Sequence, residues 1–440
     1  MRIVAQFFLV VVSHFLHAQD ITYARKVIDT LASPAMHGRG YVSNGDRIAA
    51  DYVAGEFKKM GIQPALSNGS YLQPFSFPVN TFPGKVEVTF FWKDKPAVKS
   101  DPGEHYLLRS ASPSVKGKFE VVRLDSAIVA NPTRWQQFNA TSHKKHFVLV
   151  DTSGVRNKEQ RTMLLNYIKY PKGVKGLLVP VRMNPIDGSD HCSKLTPWDF
   201  SMYQSGVPII EIESEWKDVT EIALNVQAKF IRNYTSHNVL GLIKGSQRPD
   251  SFIVFTAHYD HLGRMGQRVY FPGANDNASG VAMLLNLAQH YTKPEHRPKY
   301  SILFVAFGAE EVGLIGSKYF VDHPIIDLSK IRFLLNMDIL GTGDEGITVV
   351  NATLFPTEFK EFQRLNAQGS YLPNIKSRGK AAISDHYFFT EKDVTCFYIY
   401  TMGGIKAYHD TCDRRETLPL TKFEDLFRLI RDFTDWIDNR

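Results

Sequence analysis

The chain has 440 residues, 43% of them hydrophobic and 22% charged, which is an ordinary globular composition and long enough for a large core and more than one domain. Its net charge of +7 is spread along the chain without a long run of Lys or Arg, so a nucleic-acid-binding stripe is disfavoured and a solvated basic surface is expected. The three cysteines, Cys192, Cys396 and Cys412, are too few for a disulfide framework; export would permit one bridge, for which Cys396 and Cys412 are the nearer pair, and three idle thiols fit as well.

The chain opens MRIVAQFFLVVVSHFLHAQD, with Arg2 ahead of a mostly apolar stretch, Ile3 to Phe15, and Ala18 as a cleavage residue. This is the pattern of a secretory signal over residues 1–18. A membrane anchor is the weaker reading, because Gln6, Ser13 and His14 break the run and a span needs ~20 apolar residues. The remainder is expected to be exported (periplasmic, cell-surface or secreted), without membrane insertion.

Helical periodicity then marks Ile21 to Leu31 and Gly45 to Met60, with Gly61 as a stop signal. Residues 19–85 read as the N-terminal part of the main domain. From Val86 the pattern changes to short strand-like runs, VEVTFFW, HFVLVD, GLLVPV and VPIIEIE, with one amphipathic helical run, Lys158 to Tyr170, among them. Residues 86–235 therefore read as an inserted α+β subdomain. From 236 to 440 the apolar runs NVLGLIKG, SFIVFTAH, SILFVAFG and RFLLNMD alternate with helical stretches such as Ala278 to Tyr291. Strands buried on both faces read as continuous apolar runs. The expected fold is α/β, a mostly parallel central sheet flanked by helices.

Ligands of such sheets sit outside the carboxyl ends of the strands. Those ends carry His258, Asp260 and His261 in HYDHLG, Asp276 in PGANDNASG, Glu310 and Glu311 in FGAEE, Asp338 in NMD, and Tyr408, His409 and Asp413 in AYHDTCD. Singly, each has a bland explanation as a cap, a solvated turn or a satisfied core histidine. Their recurrence on one rim points to a metal site. Two imidazoles and three carboxylates suit a borderline ion such as zinc. Five ligands suit two ions, with one carboxylate bridging and a shared water completing both.

HYDHLG, GANDNASG, GAEEVGLIGS, NMD and YHD, in this order, resemble the motifs of the family-28 metallopeptidases, the dizinc aminopeptidases that bacteria often export. The resemblance covers most of the chain outside the insert. It implies an exported exopeptidase acting on peptides with two zinc ions per chain. His258 and Asp338 would be terminal ligands of one ion and Glu311 and His409 of the other, with Asp276 as the bridge. Glu310 would be the general base, its side chain turned away from that of Glu311 on extended backbone. Tyr408 would be the phenol that donates to the tetrahedral oxyanion. Asp260 would orient His258 from behind, and Asp413 would be the carboxylate near His409. Asp385 and His386, in SDHYFF, would be polar groups of a pocket-lining loop, with a structural role as compatible as a chemical one. Arg39, in MHGRG, would be structural. The insert is similar to a degenerate protease-associated domain. The loop YHDTCDRRE lacks a proline that many relatives carry.

Several other functions fit parts of this pattern. A carboxypeptidase or dipeptidase on the same fold would need a cationic clamp for a C-terminal carboxylate. A single-zinc glutaminyl cyclase is disfavoured by the full set of five ligands. A metal-free binding protein should have lost some of them, and a dimetal phosphoesterase would use a similar palette. Oligomeric state is not encoded in any of these motifs.

Overall fold

The computed structural model describes residues 21–181 and 200–440. The expected signal peptide and Cys192 lie outside the described residues, as does the proline-rich segment from Met183 to Pro197. No helix among the described residues is long and apolar enough to cross a membrane.

The main sheet runs, in spatial order, Gln63–Pro64, Lys229–Ile243, Tyr300–Phe307, Arg248–His258, Ile331–Met337, Cys396–Met402, Gly346–Val350 and Ile375–Ser377, with Leu72–Thr81 also paired to Lys229–Ile243. Its four central strands, from Tyr300–Phe307 to Cys396–Met402, are mutually parallel, and the flanking pairs next to them are antiparallel. All eight residues of Tyr300–Phe307 are buried, which is why this strand reads as one apolar run.

On one face of the sheet the helix Gly280–Tyr291 packs with Ile21–Leu31 and Phe423–Asp438 in a common core, in which Ala24, Val27 and Ile28 join Val281, Leu284, Phe397 and Phe433. The other face is closed by Ile315–Asp322 and His386–Thr390, which bring Phe320 and Phe389 against Val305, Phe307 and Leu334. Each such side chain contributes about 1.5–3 kcal/mol on burial. With both faces covered, the carboxyl ends of the parallel strands remain as the accessible rim.

The second sheet spans residues 86–226 in the order Val98–Ser100, Val86–Phe91, Glu221–Val226, Val115–Leu124, His143–Val150, Val174–Val181, Ile209–Glu213 and Tyr106–Leu108. The helix Lys158–Lys169 packs on it through Leu164 and Ile168. Two of its elements carry little sequence signal. In Val115–Leu124 the solvent-facing lysines obscure the alternation, and Pro132–Ala140 is a short polar helix started by the Asn131 side chain, which accepts from the Arg134 amide. The expected break between 235 and 236 falls inside the single 15-residue strand Lys229–Ile243. Leu262, Met265 and Phe271 of the main domain belong to the apolar core of the second sheet, so the two units share a packed wall.

The nearer cysteine pair does not form. Cys396 is a free, buried thiol that opens an interior strand, between Thr390 Oγ1 at 3.2 Å and Asn351 Nδ2 at 3.4 Å, and burial pushes it up to about 11. Cys412 is disulfide-bonded.

Candidate metal centre

Three of the candidate residues sit on or beside left-handed backbone. Ala309, just before Glu310, has φ +59°; Ile339, just after Asp338, has φ +58°; His409 itself has φ +53°. L-residues in this left-handed region cost about 1–2 kcal/mol each, and such strain concentrates where a side chain must be aimed. Asp276 sits in a π-type turn, Ala274–Ser279, that leads into the helix Gly280–Tyr291. This turn begins at Gly273, with φ +60°, where a Cβ would lie 2.2 Å from the Asp276 carbonyl and 2.4 Å from the His261 ring, so only glycine fits.

The five residues expected as ligands converge. His258 Nε2 lies 3.3 Å from Asp276 Oδ1 and 3.3 Å from Asp338 Oδ1. His409 Nε2 lies 3.1 Å from Asp276 Oδ2 and 3.1 Å from Glu311 Oε2. Two donors about 2.1 Å from one tetrahedral ion stand roughly 3.4 Å apart, so both groupings have ligand-to-ligand spacing. Asp276 turns one oxygen to each, as a bridge would. All five are buried, whereas Glu310 is half-buried, with a carboxylate oxygen within 4.8 Å of His258 and Asp338 donor atoms.

The electrostatics of the cluster call for positive charge. Burial alone would raise Asp276 and Glu311, but His258 and His409 outweigh it at Asp276, and His409 and His261 at Glu311; Asp276 is held well below the usual range and Glu311 at about 2. Burial lowers His409, yet Glu311 and Asp276 lift it to about 11, and the carboxylates Glu310 and Asp338 likewise lift His258 well above its ordinary value. Imidazoles driven to hold protons against burial mark a pocket whose charge divalent cations would balance. Glu310 is raised well above the ordinary range, by burial with Glu311, Asp385 and Asp338 adding to it against the pull of His258.

The supporting groups differ in part from expectation. Glu310 and Glu311 are not on extended backbone; they lie in a turn whose Gly313 and Leu314 amides return to the Glu310 carbonyl at 2.9 and 2.8 Å. Asp260 meets the His258 ring through its main-chain carbonyl, 3.2 Å from Nδ1, while its carboxylate is 3.7 Å away. That carboxylate instead accepts from the amides of Glu310 (3.1 Å) and Glu311 (3.3 Å) and from Tyr41 Oη (3.0 Å). Asp413 makes no bond to His409 but accepts from the amides of Asn275 (2.8 Å) and Asp276 (2.9 Å); burial pushes it up to about 7. Asp385 is fully buried behind the cluster and is likewise pushed up to about 7 by burial. Its neighbour Ser384 is the group that reaches Asp338, donating to Oδ2 at 3.0 Å.

Three contributors, Thr256, Asn336 and Ser384, were not singled out from the sequence, and a fourth, His261, was read at its strand end without a role. Thr256 donates to Asn336 (2.6 Å), Asn336 to Ser384 (2.8 Å) and Ser384 to Asp338, a relay that ends on a candidate ligand and polarises along its length. His261 lies 2.7 Å from Glu311 Oε1 through Nδ1. The repeat of histidine within HYDHLG was its signal. Arg39, expected to be structural, is fully buried with its guanidinium on the carbonyls of Leu31, Tyr259, Pro272, Gly273 and Asp276. Tyr408 stacks on the His409 ring at 3.9 Å and 14° and remains 42% exposed; burial and the carboxylates Asp276, Glu311, Asp338 and Glu310 keep its phenol protonated.

Residues 238–434 match the model of Peptidase family M28. The chain is similar to aminopeptidase YwaD of Bacillus subtilis, 35% identical over 155 residues, which cover 34% of this chain and 32% of that protein; it thus spans about a third of that relative's length. Among solved structures it resembles BSAP, a zinc aminopeptidase from Bacillus subtilis, with TM-score 0.65 and 18% identity over 95% of this chain and 94% of that one. It also resembles an aminopeptidase from Aneurinibacillus sp. strain AM-1, with TM-score 0.60 and 19% identity over 96% and 94%. These likenesses establish the fold as the α/β exopeptidase architecture. The five convergent residues all lie inside residues 238–434, the segment that matches the model of Peptidase family M28.

Proposed function

We propose that this protein is an exported zinc aminopeptidase that releases N-terminal residues from peptides, with two zinc ions per chain. The observation that carries the reading is the division of Asp276, whose two oxygens face two separate imidazole–carboxylate groupings, with one further glutamate beside them. His258 and Asp338 would hold one ion, Glu311 and His409 the other, and Asp276 both. The names of the similar proteins support zinc and the aminopeptidase direction. The opening sequence, MRIVAQFFLVVV, supports export.

Bound zinc would acidify water and polarise the scissile carbonyl. The chain's own groups supply the rest. Glu310, beside the His258–Asp338 grouping and free of the two closest imidazole–carboxylate pairings, takes the proton of the attacking water and returns it to the leaving amine. Its turn is held by the Asp260 carboxylate on the Glu310 and Glu311 amides, so the base and its neighbour share one anchor. The Tyr408 phenol, protonated and beside His409, donates to the oxyanion as it forms. The carboxylates Glu310 and Asp338 are placed to attract the free α-amine of a substrate.

The test is Glu310→Gln on protein of measured zinc content, assayed against matched free-amine and N-blocked peptides. Wild type should bind two zinc ions per chain and cleave only the free-amine set, and the variant should keep its zinc and lose about 10²–10⁴-fold in turnover. A variant that works at a near-normal rate would remove Glu310 as the base. Cleavage confined to N-blocked peptides would reverse the direction of attack.

A further inference from the structure

His261 is buried to the last atom, and its ring makes one polar contact among the described residues, Nδ1 to Glu311 Oε1 at 2.7 Å; Nε2 has no hydrogen-bond partner. A carboxylate only accepts, so the ring carries its proton on Nδ1 and donates. The 2.7 Å spacing is that of a charge-assisted hydrogen bond and is shorter than the 3.1–3.3 Å that separates the ligand pairs. His261 is thus a partner of Glu311 and not a sixth member of the metal-binding set. Packing alone does not account for it, because an apolar ring would fill the same space without burying an unpaired nitrogen.

The ring is held on every side. Its amide donates to the Arg39 carbonyl at 3.3 Å, it lies against Gly273, and its centroid is 5.8 Å from that of His409 at 71°. The residues that follow, Leu262, Met265 and Phe271, are set in the core of the second sheet. The two oxygens of Glu311 are consequently divided. Oε1 is taken by His261, which lies outside the five expected ligands, and Oε2 points to His409 at 3.1 Å, whereas both oxygens of Asp276 face expected ligands, His258 and His409.

We infer that His261 is a positioning residue that fixes Glu311 as a one-oxygen ligand of the ion shared with His409; this rests on the two-ion reading above. The test is zinc competition against a chromophoric chelator, run on metal-free wild type, His261→Phe and His261→Asn, with thermal unfolding of each metal-free protein alongside. Phe keeps the ring volume and removes the donor, whereas Asn keeps a donor at the Nδ1 position and loses the volume. Loss of such an outer hydrogen bond weakens metal binding about 10- to 100-fold. Phe should show that loss in one of two binding steps and leave the other unchanged, since the His258–Asp338 grouping does not touch His261. Asn should bind both ions nearly as wild type does, even where its unfolding temperature falls below that of Phe. Native affinity in Phe, or Asn binding more weakly than Phe, would overturn the assignment and leave a packing role. Wild type that binds fewer than two ions would overturn the two-ion reading and this assignment with it.

Discussion

Replacing Arg39 with Lys isolates the guanidinium's geometry from its charge. Arg39 donates to the carbonyls of Tyr259 (2.7 Å), Leu31 (2.9 Å), Pro272 (2.6 Å), Gly273 (2.7 Å) and Asp276 (3.2 Å). Burial brings it down to about 10 while Asp413, Asp276, Asp260 and Glu311 hold it up, so it is a cation at neutral pH without a direct ion pair. An ammonium has three donors, so at least two of these five carbonyls would lose their partner. Each buried acceptor left unpaired costs about 1–3 kcal/mol, so Arg39→Lys should destabilise the main domain by roughly 2–6 kcal/mol, against a typical total of about 5–15 kcal/mol. Four of the five carbonyls lie on the loops that carry His258 and Asp276, so zinc affinity should fall with stability. Urea unfolding of the metal-free protein measures the first effect and chelator competition the second. A loss under ~1 kcal/mol with native zinc affinity would refute the argument and show that the buried charge alone matters.

Asp276→Ala removes the carboxylate that the two groupings share, so elemental analysis should find both zinc ions lost or weakly held; two tightly bound ions would contradict bridging. Tyr408→Phe should lower turnover about 100-fold at unchanged zinc content, and a drop under tenfold would exclude the phenol from the chemistry. His290, in the last turn of the helix Gly280–Tyr291 and packed against His296, Tyr291 and Phe427, is brought down to about 3 by burial, with His296, Arg431 and Lys293 adding to it. The unfolded chain, with a pKa of about 6.5, takes up this proton first as pH falls, so stability should drop by about 1.4 kcal/mol per pH unit between roughly pH 6.5 and 3. His290→Phe should flatten that slope in urea titrations at stepped pH, and an unchanged slope would assign it to other groups.

The central strands were legible because residues such as Ile302 to Phe307 and Phe333 to Met337 face protein on both sides, which leaves an unbroken apolar signal. The candidate ligands were legible because each follows such a strand or opens a glycine-bounded turn. What stayed hidden is mostly contact with the main chain. Asp260, Asp413 and Arg39 spend their hydrogen bonds on amides and carbonyls, which look the same under any side chain, so sequence proximity assigned the two acids to histidines instead. The turn at Ala309 was equally invisible, since nothing in alanine announces a positive φ. Thr256, Asn336 and Ser384 are polar residues embedded in or beside apolar runs, and only the strand register brings them into line.

The packed wall between the two sheets bears on how the chain can be built and rebuilt. The unit formed by residues 86–226 lacks Leu262, Met265 and Phe271 until the ribosome has moved well past its last strand, so it cannot finish folding as an early, separate body during synthesis. It is equally unsuited to exchange as a cassette between relatives. A graft that transplants 86–226 alone would leave a hole in the donor unit and an uncovered apolar hairpin in the host, directly beside His261.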